Sequence, residues 1–193
     1  MAKMCRSDRA IGLNDVVLRP SQVGAGYRLQ QVPGGHQVRG QVTMDLCGYR
    51  FRSESLRTGR VQVAYVGASS LPELSNEVVS YSPGGAAQAL REVNDAVAAC
   101  PHHAVASTVR GVPPLTYEIT RLQDAKLPPG SIALSAHITG TANGKRIDFT
   151  ESLVYQIHRD VLSAVYVRGG TASTRVLYAF HAAEESAGNL GRV

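Results

Sequence analysis

The residues with the clearest chemical potential sit on one alternating stretch, residues 146–158. There Ile147, Phe149, Leu153, Tyr155 and Ile157 fall on a common face of an extended strand, and Glu151 falls in phase with them. A carboxylate where alternation calls for an apolar side chain costs free energy unless it is paired, solvated or protonated. A raised pKa at such a position suits general acid–base work or ligand binding in a pocket floored by a sheet. Tyr155 lies two pleats further along the same face, and Tyr117 and His137 lie on strands expected nearby. Glu151 and Tyr155 are therefore the candidate acid–base pair, and Glu151, Tyr155, Tyr117 and His137 the candidate ligand-binding set. Two plainer readings stand beside this one: a salt bridge from Glu151 to one of the many arginines, or a β-bulge that turns it outward. His137 and His158 occupy the polar phase of their strands, and Ser53, Ser55 and Ser82 lie in no nucleophile-elbow context.

The three cysteines carry the second chemical signal. Ala86, Leu90, Val93 and Val97 recur at helical spacing and Cys100 continues that stripe, so it faces inward on a helix that Pro101 ends. A buried cysteine there is either a small hydrophobe filling the last turn or half of a disulfide. Cys47 lies in residues 41–48, which alternate like a strand, and Cys5 lies in a polar lead. Cysteine arithmetic leaves both readings open. The spacing with His102 and His103 is too sparse for a metal site, so neither metal nor cofactor is expected.

The chain has 193 residues, 44% of them apolar, with no tryptophan and a formal charge of +5. That length suits one domain over residues 13–193, behind a disordered or tag-like lead over residues 1–12. No apolar run approaches the ~18–20 residues that a membrane-spanning helix needs, and no signal-peptide pattern opens the chain. The basic residues are scattered. The densest stretch, residues 49–60, mixes aromatic and basic side chains as a phosphate-tracking surface does, but without a nucleic-acid motif a solvated connection is the better reading. No nucleic-acid partner is expected.

The remaining pattern is strand-rich. Residues 20–40, with Pro20, Pro33 and the five glycines Gly24, Gly26, Gly34, Gly35 and Gly40, read as a long irregular surface segment. Strands are expected over residues 61–66, 77–81, 115–122, 131–139, 146–158 and 161–168, with Asn143-Gly144 as a hairpin turn and Arg159-Asp160 as a second turn. A final helix from residue 171 or 173 to about 190 places Val176, Leu177, Phe180, Ala183, Ala187 and Leu190 inward. Tight turns make the strands antiparallel, and two amphipathic helices need a sheet to cover. The expected fold is α+β: a curved antiparallel sheet of about five to seven strands with two helices packed on one face.

Several segments together carry a family resemblance: Asp45-Leu46-Cys47-Gly48, residues 53–66, Asn76-Glu77-Val78-Val79, residues 81–86, the Ala89-Leu90-Arg91-Glu92 helix and Ala99-Cys100-Pro101. They resemble an actinobacterial family of secreted proteins and lipoproteins similar to the extracellular sensor domain of PknH-type serine/threonine kinases. The resemblance covers residues 13–190. It implies that Cys47 and Cys100 are paired, that the chain is extracytoplasmic, and that it binds a small-molecule or cell-envelope ligand without catalysis. The chain departs from the kinase-type domains in having fewer cysteines, no attached kinase domain or membrane anchor, and no lipobox before Cys5. The alternative is a small cofactor-independent cyclase or isomerase that encloses an apolar substrate between sheet and helices, with Glu151 as acid–base; a true start at Met1 would then make it cytoplasmic.

Overall fold

The computed structural model describes residues 12–68 and 70–192. Residues 1–11 and Cys5, the bulk of the expected lead, lie outside the described residues. Seven strands form one sheet: β1 (Arg28–Gln31), β2 (Arg57–Val66), β3 (Glu73–Tyr81), β4 (Leu115–Leu122), β5 (Ile132–Ala142), β6 (Lys145–His158) and β7 (Val161–Arg168). Their order is β1-β2-β3-β7-β6-β5-β4, and every neighbouring pair is antiparallel. The helices are the short α1 (Leu13–Val16), α2 (Gly85–Ala98) and α3 (Ala172–Leu190).

Local chemistry explains most of this order. Asn143 and Gly144 both take positive φ, 50° and 75°, which turns β5 into β6 through two residues. Arg159 does the same between β6 and β7 at φ 51°. The chain leaves β3 at Tyr81 and enters α2 through Gly84, the left-handed N-cap, whose N–H donates to Asp160 in the β6–β7 turn at 2.7 Å. After α2 it reaches the far edge of the sheet and returns as the meander β4-β5-β6-β7, which closes against β3.

The helices do not share a face. Ala86, Ala89, Val93 and Ala96 of α2 pack with Leu153, Tyr155, Leu162 and Ala164, whereas Ala179, Ala182 and Ala183 of α3 pack with Val154, Val165 and Val167. Successive residues of a strand point to opposite sides, so these sets belong to opposite faces. The expectation of two helices on one face is corrected, and the physical reason is visible in β6 and β7. Residues 152–156 and 162–165 are buried without interruption, which requires cover on both faces. Correspondingly, the inner stripe of α3 is rotated from the expected one: Arg175, Ser186 and Asn189 are buried, and Leu177 is 67% exposed.

Two further expectations change. Residues 41–48 are not a strand but a loop in which Thr43, Met44, Leu46 and Cys47 are all buried. Cys47 at φ 57° and Gly48 at φ 64° cannot continue an extended chain, and a Cβ on Gly48 would stand 2.9 Å from Val105 Cβ. The Gly/Pro-rich segment contains β1, which pairs with β2 at the sheet edge, and buries Val23. Cys47 and Cys100 form a disulfide with a Cα–Cα distance of 5.1 Å, which ties that buried loop, not a strand, to the end of α2.

Candidate functional site

α2 covers only part of its face. Beyond it, β2, β3, β7 and β6 together with the loop around Thr43 line a depression of about 620 Å³ to which α2 contributes no residue. Cross-strand register assembles its floor. Gln62 stands opposite Glu77, Ser75 opposite Tyr166, Glu73 opposite Arg168, and Arg168 opposite Glu151. Leu153 and Tyr155 continue the β6 side, and Tyr155 meets Tyr166 edge to face at 6.1 Å between ring centroids.

Glu151 faces this pocket, as its phase in the alternation requires. The β6 register runs unbroken past it, with Ala136 on one side and Arg168 on the other, so no bulge turns it outward. Nor is it in an ion pair among the described residues. Arg168 is in register with it, yet both Nε and Nη2 of Arg168 donate to Glu73 Oε2, at 3.1 and 2.5 Å, and the guanidinium lies 5.3 Å from the centre of the Phe149 ring. Burial therefore dominates the Glu151 carboxyl, with Arg168 opposing it, and pushes its pKa up to about 7. Near neutral pH the group can both donate and accept a hydrogen bond. Burial, and then the negative field of Glu151, also raises Tyr155 well above the ordinary tyrosine range, so its hydroxyl stays protonated.

One wall of the pocket is a buried ionic network. Glu77, 2% exposed, pairs with Arg60, 5% exposed, and accepts a hydrogen bond from Thr43 Oγ1 at 2.8 Å. Arg57 Nη1 donates to the same Thr43 hydroxyl at 2.9 Å, and its Nη2 reaches the Gln41 carbonyl at 2.6 Å and Glu54 at 3.1 Å. The loop that carries Cys47 is thus pinned over the sheet by charge as well as by the disulfide. Sequence reading missed this network. A glutamate in Asn76-Glu77-Val78-Val79, otherwise polar–apolar–apolar, was the available signal.

The other candidate residues divide. Tyr117 is buried on the same face as Glu151, and burial first, then Asp45 and Glu151, raise its pKa; it does not line the pocket. His137 pairs in register with Thr150 and Glu118 and so lies on the opposite face from Glu151. Its ring nitrogens meet Asp148 at 2.9 Å and Glu118 at 3.3 Å at the surface, and those bonds, Asp148 foremost, raise its pKa. The structure brings Glu151 and Tyr155 together and separates His137 from them. The pocket is lined mainly by polar side chains, and α3 stands behind the sheet and contributes none of them.

The arginines of residues 49–60 split between two roles. Arg57 and Arg60 are consumed by the buried network, while Arg50 and Arg52 are exposed and join Arg91 of α2 along a second groove of about 670 Å³. No group of three or more histidine, cysteine or carboxylate side chains suited to a metal ion occurs among the described residues. No helix among them is long and apolar enough to cross a membrane.

Neither a protein-family model nor a curated protein sequence matches the chain. A solved structure does share its fold: the extracellular domain of PknH from Mycobacterium tuberculosis aligns with a TM-score of 0.53 at 13% sequence identity, over 91% of this chain and 94% of that one. At that identity the likeness is one of fold.

Proposed function

We propose that the chain is an extracytoplasmic, sensor-like module of one domain that binds a small polar ligand in the pocket around Glu151, without turnover. The observation that carries this reading is Glu151 itself: a largely buried carboxylate, in register with an arginine that is already engaged, at the floor of a polar depression. A folded protein retains such a cost where a function needs it. The fold shared with a kinase extracellular domain supports the sensor-like character. The Cys47–Cys100 disulfide supports an oxidising compartment.

Equilibrium dialysis of the purified protein against a fractionated cell-envelope extract, with Glu151→Gln in parallel, tests the binding reading. A small molecule retained by the wild type and lost by the variant is expected. Equal retention by both would move the binding site elsewhere, and chemical conversion of the retained molecule would replace binding by catalysis. Compartment is tested separately by non-reducing peptide mapping of protein taken from its native host. Recovery of the Cys47–Cys100 peptide is expected, and recovery of both cysteines as free thiols would overturn the extracytoplasmic reading.

A further inference from the structure

The pocket has a charge imbalance that limits what it can hold. Four carboxylates line it, Asp45, Glu73, Glu77 and Glu151, against the two guanidiniums of Arg60 and Arg168. Arg60 is committed to Glu77 and Arg168 to Glu73. Asp45 is held by neutral donors, the Ser107 hydroxyl and the Thr108 N–H and hydroxyl, the latter two at 2.9 and 2.8 Å. Glu151 is therefore left without an ion-pair partner among the described residues, with Arg168 acting on it only at a distance, in an acidic depression on a chain whose overall charge is +5. We propose that this pocket is a site for a small organic cation, whose ammonium group supplies the partner that Glu151 lacks within the protein. The proposal rests on the reading of the pocket as a ligand site and names the class of ligand.

Three observations favour a cation over other polar ligands. An anion would need a free guanidinium, and both are engaged. A neutral polyol would leave the desolvation of Glu151 uncompensated, whereas an ammonium within hydrogen-bond reach offsets it directly. The Tyr155–Tyr166 pair adds aromatic surface beside the carboxylate, the setting in which an ammonium also gains cation–π attraction.

The proton linkage has a definite sign. The groups facing Glu151 are Arg168 and Tyr166 on β7, Tyr155 and Phe149 on β6, and Tyr117 on β4, with Glu73 and Glu77 behind them on β3. The tyrosines facing it stay protonated through the neutral range, and Glu151, pushed up to about 7, titrates within it; burial raises the neighbouring Glu77 as well, with Arg60 opposing. A cation prefers the ionised carboxylate, so binding releases a proton. Affinity rises as pH approaches about 7 from below and levels off above it.

Carbon-detected NMR of the Glu151 side-chain carboxyl, followed with spermidine as probe and triethylene glycol as an uncharged molecule of similar length, tests the assignment. Millimolar spermidine is expected to lower the apparent Glu151 pKa, and its apparent affinity is expected to fall about tenfold per pH unit on the acid side. Binding should vanish in Glu151→Gln and persist, weakened, in Glu151→Asp, which separates loss of charge from loss of fold. Equal perturbation by the glycol would overturn the cation assignment while leaving the pocket as a ligand site. Spermidine binding undiminished in Glu151→Gln, or an unmoved Glu151 carboxyl in the wild type, would also overturn it. The pocket reading itself would then stand or fall on the dialysis experiment alone.

Discussion

The two faces of the sheet solve the burial problem differently. On the α2 side, Leu134, Ile138, Leu153, Leu162 and Val79 meet a helix stripe of alanines and Val93, and a disulfide clamps the overlying loop. On the α3 side the helix presents alanines, Ser186 and Asn189 and meets a seam of neutral polar groups. Asn76 accepts from Leu18 N at 2.9 Å and donates to Ser163 Oγ at 2.8 Å, and Ser163 shares a hydrogen bond with Ser186 at 2.6 Å. The longer helix lies against the central strands β6 and β7, whereas the shorter one leaves part of its face uncovered. The buried charge under α3 is Arg175, which donates to the Gly169 and Gly170 carbonyls, whereas the carboxylates of the candidate site lie in the uncovered part of the α2 face.

Removing the clamp should give the largest effect. The Cys47→Ala/Cys100→Ala double variant releases a loop closed over 53 residues, which corresponds to about 4 kcal/mol in the chain-entropy model. Urea unfolding should show that loss, and a change below about 1 kcal/mol would mean that the ionic network holds the loop without help.

The seam on the other face is next. Asn76→Ala strands the buried Leu18 N–H and removes two donated bonds, to Ser163 and to the Ala164 carbonyl, for an expected loss of about 3 kcal/mol. A near-neutral result would show that α3 packs without its polar seam.

Glu151→Gln should act in the opposite direction and depend on pH. Because the folded pKa lies above the ordinary value of 4.5, the wild type is favoured at low pH and loses that contribution as pH rises through about 7. Above pH 7 the glutamine variant should be the more stable, by about 2 kcal/mol once partial solvent access is allowed for. Parallel stability curves for the two proteins from pH 4.5 to 7 would show that Glu151 is not desolvated.

The smallest effect belongs to Ser152, fully buried on the α3 side with its hydroxyl unpartnered among the described residues. Ser152→Ala should gain about 1 kcal/mol, read as a higher melting temperature. A loss instead would reveal a hydrogen-bonding role for that hydroxyl, and would bring the two faces closer in kind.

Much of this molecule follows from local pattern. Alternation alone marks β4 and β7 to the residue and β5 and β6 within a few, because each strand's periodicity is written in its own side chains. Asn143-Gly144 specifies its turn because few residues accept two successive positive φ angles. Glu151 was legible for the same reason, as a break in a local period. What local pattern does not carry is which side of the sheet an element reaches. Periodicity says that the α3 stripe is buried but not against which face, and it misplaced Leu177 because the true stripe includes Arg175, Ser186 and Asn189. The loop around Cys47 alternates like a strand, yet two left-handed residues and its disulfide fold it over the sheet. The partnerless state of Glu151 also depends on tertiary structure. Arg168 lies beside it in register, and only the pairing of β3 with β7, which brings Glu73 to that arginine, leaves the carboxylate free for something else.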